Sequence, residues 1–140
     1  MRGLKVWIPV LLLITAVSLM GCGESKSAIE DINWVLTSYG EPGNEQSPLP
    51  DAKVTAFFDS EEAELTGSGG CNSYFANYEV DGSKLSIPGP FAVTEMWCGE
   101  EKGEQERKFF EILPDAESFE VSGDKLTIDC GDSVLNFEKE

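Results

Sequence analysis

The chain has 140 residues, and its 26 acidic against 10 basic side chains give a formal net charge of −16. That balance excludes a broad positive face for nucleic acid or anionic lipid head groups. Histidine is absent, which removes Ser-His-Asp and Cys-His catalysis, His-ligated zinc and the commonest general base near neutral pH.

At the N-terminus, Arg2 and Lys5 precede an almost wholly apolar run from Val6 to Leu19. The run is shorter than the roughly 20 apolar residues of a transmembrane helix. It closes on Leu19-Met20-Gly21-Cys22, which resembles the lipobox of bacterial lipoproteins. In those proteins the cysteine thiol receives a diacylglyceryl group and the signal peptide, here residues 1–21, is cut away. The resemblance implies export, a lipid at Cys22 and a place on a membrane in the cell envelope, since two acyl chains anchor stably where one is marginal. An ordinary secretory signal and an uncleaved anchor are the alternatives. Loss of residues 1–21 takes Arg2 and Lys5, leaving 8 basic against 26 acidic residues and a formal charge of −18. Such acidity fits a solvated surface, a cationic partner or a salt-rich habitat.

Residues 22–28 are small and polar, the composition of a tether, and residues 29–140 form one domain with a core of its own. Ile32 to Tyr39 reads as a first strand. Gly40 to Pro50, with three prolines, is a long loop. Lys53 to Phe58 and Ala63 to Thr66 are the next strands, joined by an acidic turn at Asp59 to Glu62. Gly67-Ser68-Gly69-Gly70 then interrupts the sheet pattern. A phosphate-cradling role for this run lacks the required lysine or helix start, so the glycines are assigned to close backbone approach. Residues 79–87 and 120–128 match at six of nine positions, each with a central glycine flanked by Asp or Ser, and each reads as a hairpin.

Glu100 to Leu113 is the one helix, with Gln105, Phe109, Ile112 and Leu113 along one side. Glu100, Glu101, Glu104 and Glu106 sit in its first turns, where the helix dipole favours acids. Gly103 weakens the first turn, and Pro114 ends the helix. Val134 to Glu138 is a last strand. These elements predict an α+β fold: a single small domain in which a curved antiparallel sheet of about seven or eight short strands packs with one main helix.

In this order, several features together resemble the META domain family, which includes HslJ-like heat-shock lipoproteins. They are the Trp34 strand, Gly70-Cys71-Asn72, the Asp81-Gly82 hairpin, Thr94-Glu95-Met96-Trp97-Cys98, the helix with Glu106 and Phe109, and the closing hairpin. Trp34, Gly70, Cys71, Asn72, Thr94, Met96 and Cys98 carry the resemblance. It implies an envelope protein without enzymatic chemistry, acting as a binding or chaperone-like module in envelope stress or secretion-pore assembly. On that reading the chain is monomeric, held to the membrane by its lipid, and its concave face accepts an apolar segment of an envelope protein. The rival reading is an acidic inhibitor of a cationic enzyme.

The resemblance makes Cys71–Cys98 the preferred disulfide, closing a loop that stabilises by about 3–4 kcal/mol in the chain-entropy model. Cys71–Cys130 and Cys98–Cys130 stay open as pairings. Left over, Cys130 is a buried thiol rather than a nucleophile, since it has acidic neighbours and no base. A calcium site needs six or more converging oxygens. The Asp81-Gly82-Ser83 and Asp129 to Asp132 turns lack the ligand count of an EF-hand loop, the acidic runs at Asp59 to Glu64 and Glu100 to Glu106 are read as solvated faces, and no metal, cofactor or catalytic residue is assigned. Trp34, Trp97 and the Phe109-Phe110 pair are expected as core or rim packing, with one phenylalanine partly exposed.

Overall fold

Val54-Thr55-Ala56-Phe57-Phe58-Asp59 buries every second residue, the signature of a strand with one face on a core. Ser73–Asn77 and Lys125–Asp129 alternate in the same way in the computed structural model, which describes residues 26–140. Residues 1–21, Cys22 and the first part of the 22–28 tether lie outside the described residues. In chain order the strands are β1 (Asn33–Gly40), β2 (Val54–Asp59), β3 (Glu64–Gly69), β4 (Ser73–Asn77), β5 (Glu79–Asp81), β6 (Lys84–Ser86) and β7 (Ala92–Val93). Helix α1 (Glu100–Ile112) follows and runs into a 3-10 turn at Leu113–Asp115. β8 (Ser118–Ser122), β9 (Lys125–Asp129) and β10 (Val134–Lys139) then complete the chain.

All ten strands form one antiparallel sheet in the order β5-β6-β8-β9-β10-β1-β2-β3-β4-β7. Its curvature follows from connectivity. β4 and β5 lie far apart in that order, yet Tyr78 alone separates them in the chain, so the sheet must curl until their ends meet. Among the described residues the α+β class and the one α-helix agree with the sequence reading, while the strand count rises from seven or eight to ten. The two additional strands are β4 and β7. β4 alternates exposed and buried residues but follows the glycine run, which hid it, and β7 has two residues, too few for any periodicity. β3 also continues through Gly67 and Ser68 to Gly69, so the glycines lie within the sheet rather than interrupting it.

β1 holds a break in phase. Its register shifts between Leu36 and Ser38, and this bulge turns Trp34, Leu36 and Tyr39 to the core where strict alternation would have turned Ser38 inward. The two look-alike hairpins, β5–β6 and β8–β9, turn on Gly82 (φ 63°) and Gly123 (φ 62°). They are neighbours in the sheet, joined through Lys84 and Ser118.

Helix α1 fills the concave side. Phe109 is fully buried, and Tyr74 packs edge-on against both Phe109 and Phe110, at 5.6 and 5.3 Å between centroids. A row of small residues makes room for that tyrosine: Ala56, Gly67 and Tyr74 lie side by side across three strands. A Cβ on Gly67 would sit 3.0 Å from the Tyr74 ring and 2.1 Å from the Thr55 carbonyl oxygen. Free of that obstruction, the Tyr74 hydroxyl donates to the Thr55 carbonyl (2.9 Å), satisfying a phenol that burial pushes far above its usual pKa. The helix and these aromatic rings pack into the concave face of the sheet.

Candidate functional site

The glycine run and α1 approach each other so closely that side chains would collide. A Cβ on Gly69 would lie 2.8 Å from Cγ and Oε2 of Glu106 and 2.9 Å from the Phe110 ring. Gly70, at φ 105°, would place a Cβ 2.7 Å from Nε2 of Gln105. Backbone comes close at Gly67, to the Thr55 carbonyl, and at Gly70, to the Ala52 carbonyl at 3.1 Å, whereas toward the helix the missing Cβ atoms make room for the side chains of Gln105, Glu106 and Phe110.

Two polar residues of α1 are buried there. Gln105, 3% exposed, accepts from the Leu49 amide (2.6 Å) and donates to the Ala52 carbonyl (3.0 Å), clamping the end of the long loop after β1. Glu106, 8% exposed, turns toward Gly70-Cys71-Asn72. Its Oε2 accepts from the backbone amides of Asn72 (2.6 Å) and Cys71 (3.2 Å), and its Oε1 accepts from Nδ2 of Asn72 (2.7 Å). Among the described residues no ion pair involves Glu106, so backbone and amide dipoles alone solvate this carboxylate. Buried polar groups persist when fully bonded, and three donors on two oxygens meet that condition.

Asn72 transmits the bracing outward. Its Oδ1 accepts from the Met96 amide (2.6 Å) and the Thr94 hydroxyl (2.9 Å), while Nδ2 also reaches the Met96 carbonyl (3.3 Å). Thr94 is pinned a second time, since its hydroxyl accepts from the Ser73 amide (3.1 Å). The Cys71–Cys98 disulfide, with Cα atoms 5.9 Å apart, ties down the end of the same loop. The structure thus selects one of the three open cysteine pairings. It also brings Gly70, Cys71, Asn72, Thr94, Met96 and Cys98 into one network, while Trp34 stands apart in the core with its indole N–H on the Ile29 carbonyl (2.8 Å).

The loop held so firmly presents its apolar side chains to solvent. Met96 is 61% and Trp97 84% exposed, and Val93 and Phe75 stand out on the adjoining strands. Trp97 is therefore neither core nor rim packing. Both of its neighbours are held, Met96 through its backbone by Asn72 and Cys98 through the disulfide, while the indole projects into solvent. Phe110 is the half-buried member of the phenylalanine pair, leaning on Tyr74 and Phe91.

Sequence reasoning placed Glu106 with the solvated acids of the helix and missed its inward role. A signal was present: Glu106 precedes the buried Phe109 by three positions, and so shares its face of the helix. Cys130, 4% exposed, is a free thiol that burial, with Asp129, Asp115 and Glu117 nearby, pushes up to about 12. Asp59, in the acidic turn, is occupied in accepting the Glu61 and Glu62 amides.

Comparison with known proteins matches this architecture. A family model described as META domain matches residues 27–140. Comparison with curated proteins gives no match. Among solved structures, an NMR structure of a protein from Burkholderia xenovorans is similar at 24% identity and a TM-score of 0.67, over 80% of this chain and 83% of that one. A crystal structure of a DUF4847 family protein from Bacteroides vulgatus is similar at 13% identity and a TM-score of 0.56, over 79% of this chain and 94% of that one. At those identities the two structures bear on the fold alone. With the family model spanning the whole sheet, the helix and the Asn72–Glu106 network, this chain belongs to the META domain family.

Proposed function

We propose that this chain is an envelope lipoprotein, anchored through Cys22, whose META domain is a non-enzymatic binding module in envelope stress or secretion-pore assembly. The contact surface is the Thr94–Cys98 loop. One observation carries this reading: a buried carboxylate, a buried amide and a disulfide all serve to fix a loop whose own side chains are exposed. Rigid presentation of an aromatic and a thioether lowers the ordering cost of binding, and Trp is the residue most enriched among binding hot spots. The bracing stabilises the fold, and the side chains it leaves outermost, Met96 and Trp97, themselves bury little.

The test is a crosslinking pull-down from intact envelopes with the native full-length chain, beside its Trp97→Ala variant, at low and at molar salt. A specific partner lost on Trp97→Ala but retained in salt supports the module. A partner indifferent to Trp97 and lost in salt supports the acidic inhibitor instead, because attraction between exposed charges is screened. Recovery of bulk envelope proteins alone, in both chains, overturns specific binding.

A further inference from the structure

The sheet has two edges, and they are finished differently. β5, at one end, reads Glu79-Val80-Asp81 and sets a carboxylate at each of its exposed positions. Charges on an edge strand discourage another chain from pairing with it. β7, at the other end, reads Ala92-Val93, is exposed at both residues and carries no charge. β7 pairs with β4 through Ala92–Phe75 and Val93–Tyr74, and the Thr94 amide bonds the Ser73 carbonyl. In an antiparallel ladder inward and outward residues alternate, so the amide and carbonyl of Val93 point away from β4, toward open solvent. Met96 and Trp97 lie immediately beyond.

Two further facts specify what suits this edge. Residues 92–101 contain three carboxylates, Glu95, Glu100 and Glu101, and no basic residue; the nearest, Lys102, is engaged by Asp51 at 2.9 Å. The chain also enters the domain at the opposite end. Glu30 and Asp31 pack on the β2–β3 turn, where the Tyr78 hydroxyl bonds Glu30 (2.8 Å) and the Ser60 amide bonds Asp31 (3.0 Å). Asn72, at the loop, and Tyr78, at the entry, lie at the two ends of β4, separated by about 20 Å at ~3.3 Å per residue.

We infer that the β7 edge takes up an extended polypeptide segment of a partner, one that alternates apolar and basic residues and adds as an eleventh strand. Val93 supplies the backbone pairing, Met96 and Trp97 the apolar contact, and Glu95, in a stretch without basic residues and a strongly acidic domain, the attraction for basic side chains. The inference rests on the proposed anchor at Cys22 for its orientation: a tether leaving at Lys26 sets the edge on the side of the domain away from the bilayer. A membrane surface fits less well, because a strongly anionic domain is repelled by anionic lipid.

The experiment uses the full chain reconstituted in phosphatidylcholine vesicles, with Trp97 fluorescence as readout and the Trp97→Phe variant supplying the combined background of Trp7 and Trp34, subtracted in every arm. The probes are a peptide alternating lysine and valine, the same peptide N-methylated on alternate amides, and one alternating glutamate and valine. The lysine peptide is expected to shift Trp97 emission saturably, with affinity falling about tenfold or more on N-methylation or in the Val93→Pro variant. Proline is tolerated on an edge strand where the N–H faces outward, and the N-methyl arm needs no variant at all. The glutamate peptide should have no effect. Equal binding of methylated and unmethylated peptides, or no binding of either, overturns strand addition. Quenching of Trp97 by brominated lipid before any peptide is added overturns the orientation and points to a membrane contact. If the peptides fail while the envelope pull-down still depends on Trp97, strand addition falls and the binding module stands.

Discussion

Asn72 contacts both oxygens of the Glu106 carboxylate, one through its backbone amide at 2.6 Å and the other through its side-chain nitrogen at 2.7 Å. The remaining polar valences of that asparagine side chain go to Met96 and Thr94. A single amide therefore couples the helix to the exposed loop, and its geometry has direct consequences.

Glu106→Gln should destabilise the fold by about 3 kcal/mol, because a neutral amide sets one N–H group against donors that now meet a carboxylate oxygen. Urea denaturation gives the stability. Amide exchange at Cys71 and Asn72 should accelerate more than exchange in β9, which separates loss of this network from general loosening.

Gly69→Ala and Gly82→Ala should differ in kind. At Gly69 the new methyl would meet Glu106 and Phe110 at 2.8–2.9 Å, an overpacking cost of about 3 kcal/mol that also changes Trp97 emission. At Gly82 nothing lies within 4 Å, so the cost is the backbone preference at φ 63° alone, about 1 kcal/mol, and the Trp97 signal should not change. Equal effects of both substitutions on the Trp97 signal would remove the steric link between the glycine run and the loop.

Reduction of Cys71–Cys98, which spans 27 residues, should lower stability by about 3.5 kcal/mol in the chain-entropy model. Asn72 still holds Thr94 and Met96 in the reduced protein. The Cys98 end of the loop should therefore loosen first, seen as faster amide exchange from Trp97 to Gly99 than from Thr94 to Met96.

Cys130 should resist alkylation in the folded protein at pH 8 and react at an ordinary rate in denaturant. With the folded thiol at about 12 and an unfolded thiol near 8.5, the unfolded state loses its proton first. Stability should thus fall as pH rises between those values. Cys130→Ala should flatten that alkaline limb, and an unchanged limb would assign the loss to other groups.

At the acid end, Lys26 at 2.5 Å and the Ser60 amide and hydroxyl hold Asp31 down at about 2. A depressed carboxylate contributes stability above its unfolded pKa, near 3.9, and loses it as pH falls through the folded value. Asp31→Asn should therefore make the acid limb shallower between pH 4 and 2, with no change at neutral pH in the shape of the denaturation curve.

Much of this domain was legible in the sequence because local chemistry decides it. β2, α1, β10 and the two hairpins announce themselves through periodicity and turn glycines, and Gly82 and Gly123 adopt the conformations that such turns require. The family resemblance likewise singled out Gly70, Cys71, Asn72, Thr94, Met96 and Cys98 before any of them could be placed in space. Tertiary structure decided the rest, for a common reason: each feature depends on which distant segments meet. β7 is a strand only because β4 lies beside it, and Glu106 is buried only because Gly69 and Gly70 have no side chains to keep the helix away. Trp97 is exposed because its neighbours are anchored from the other side of the loop. An aromatic residue in a sequence carries a strong pull toward the core, and the contacts made by Asn72 outweigh it here.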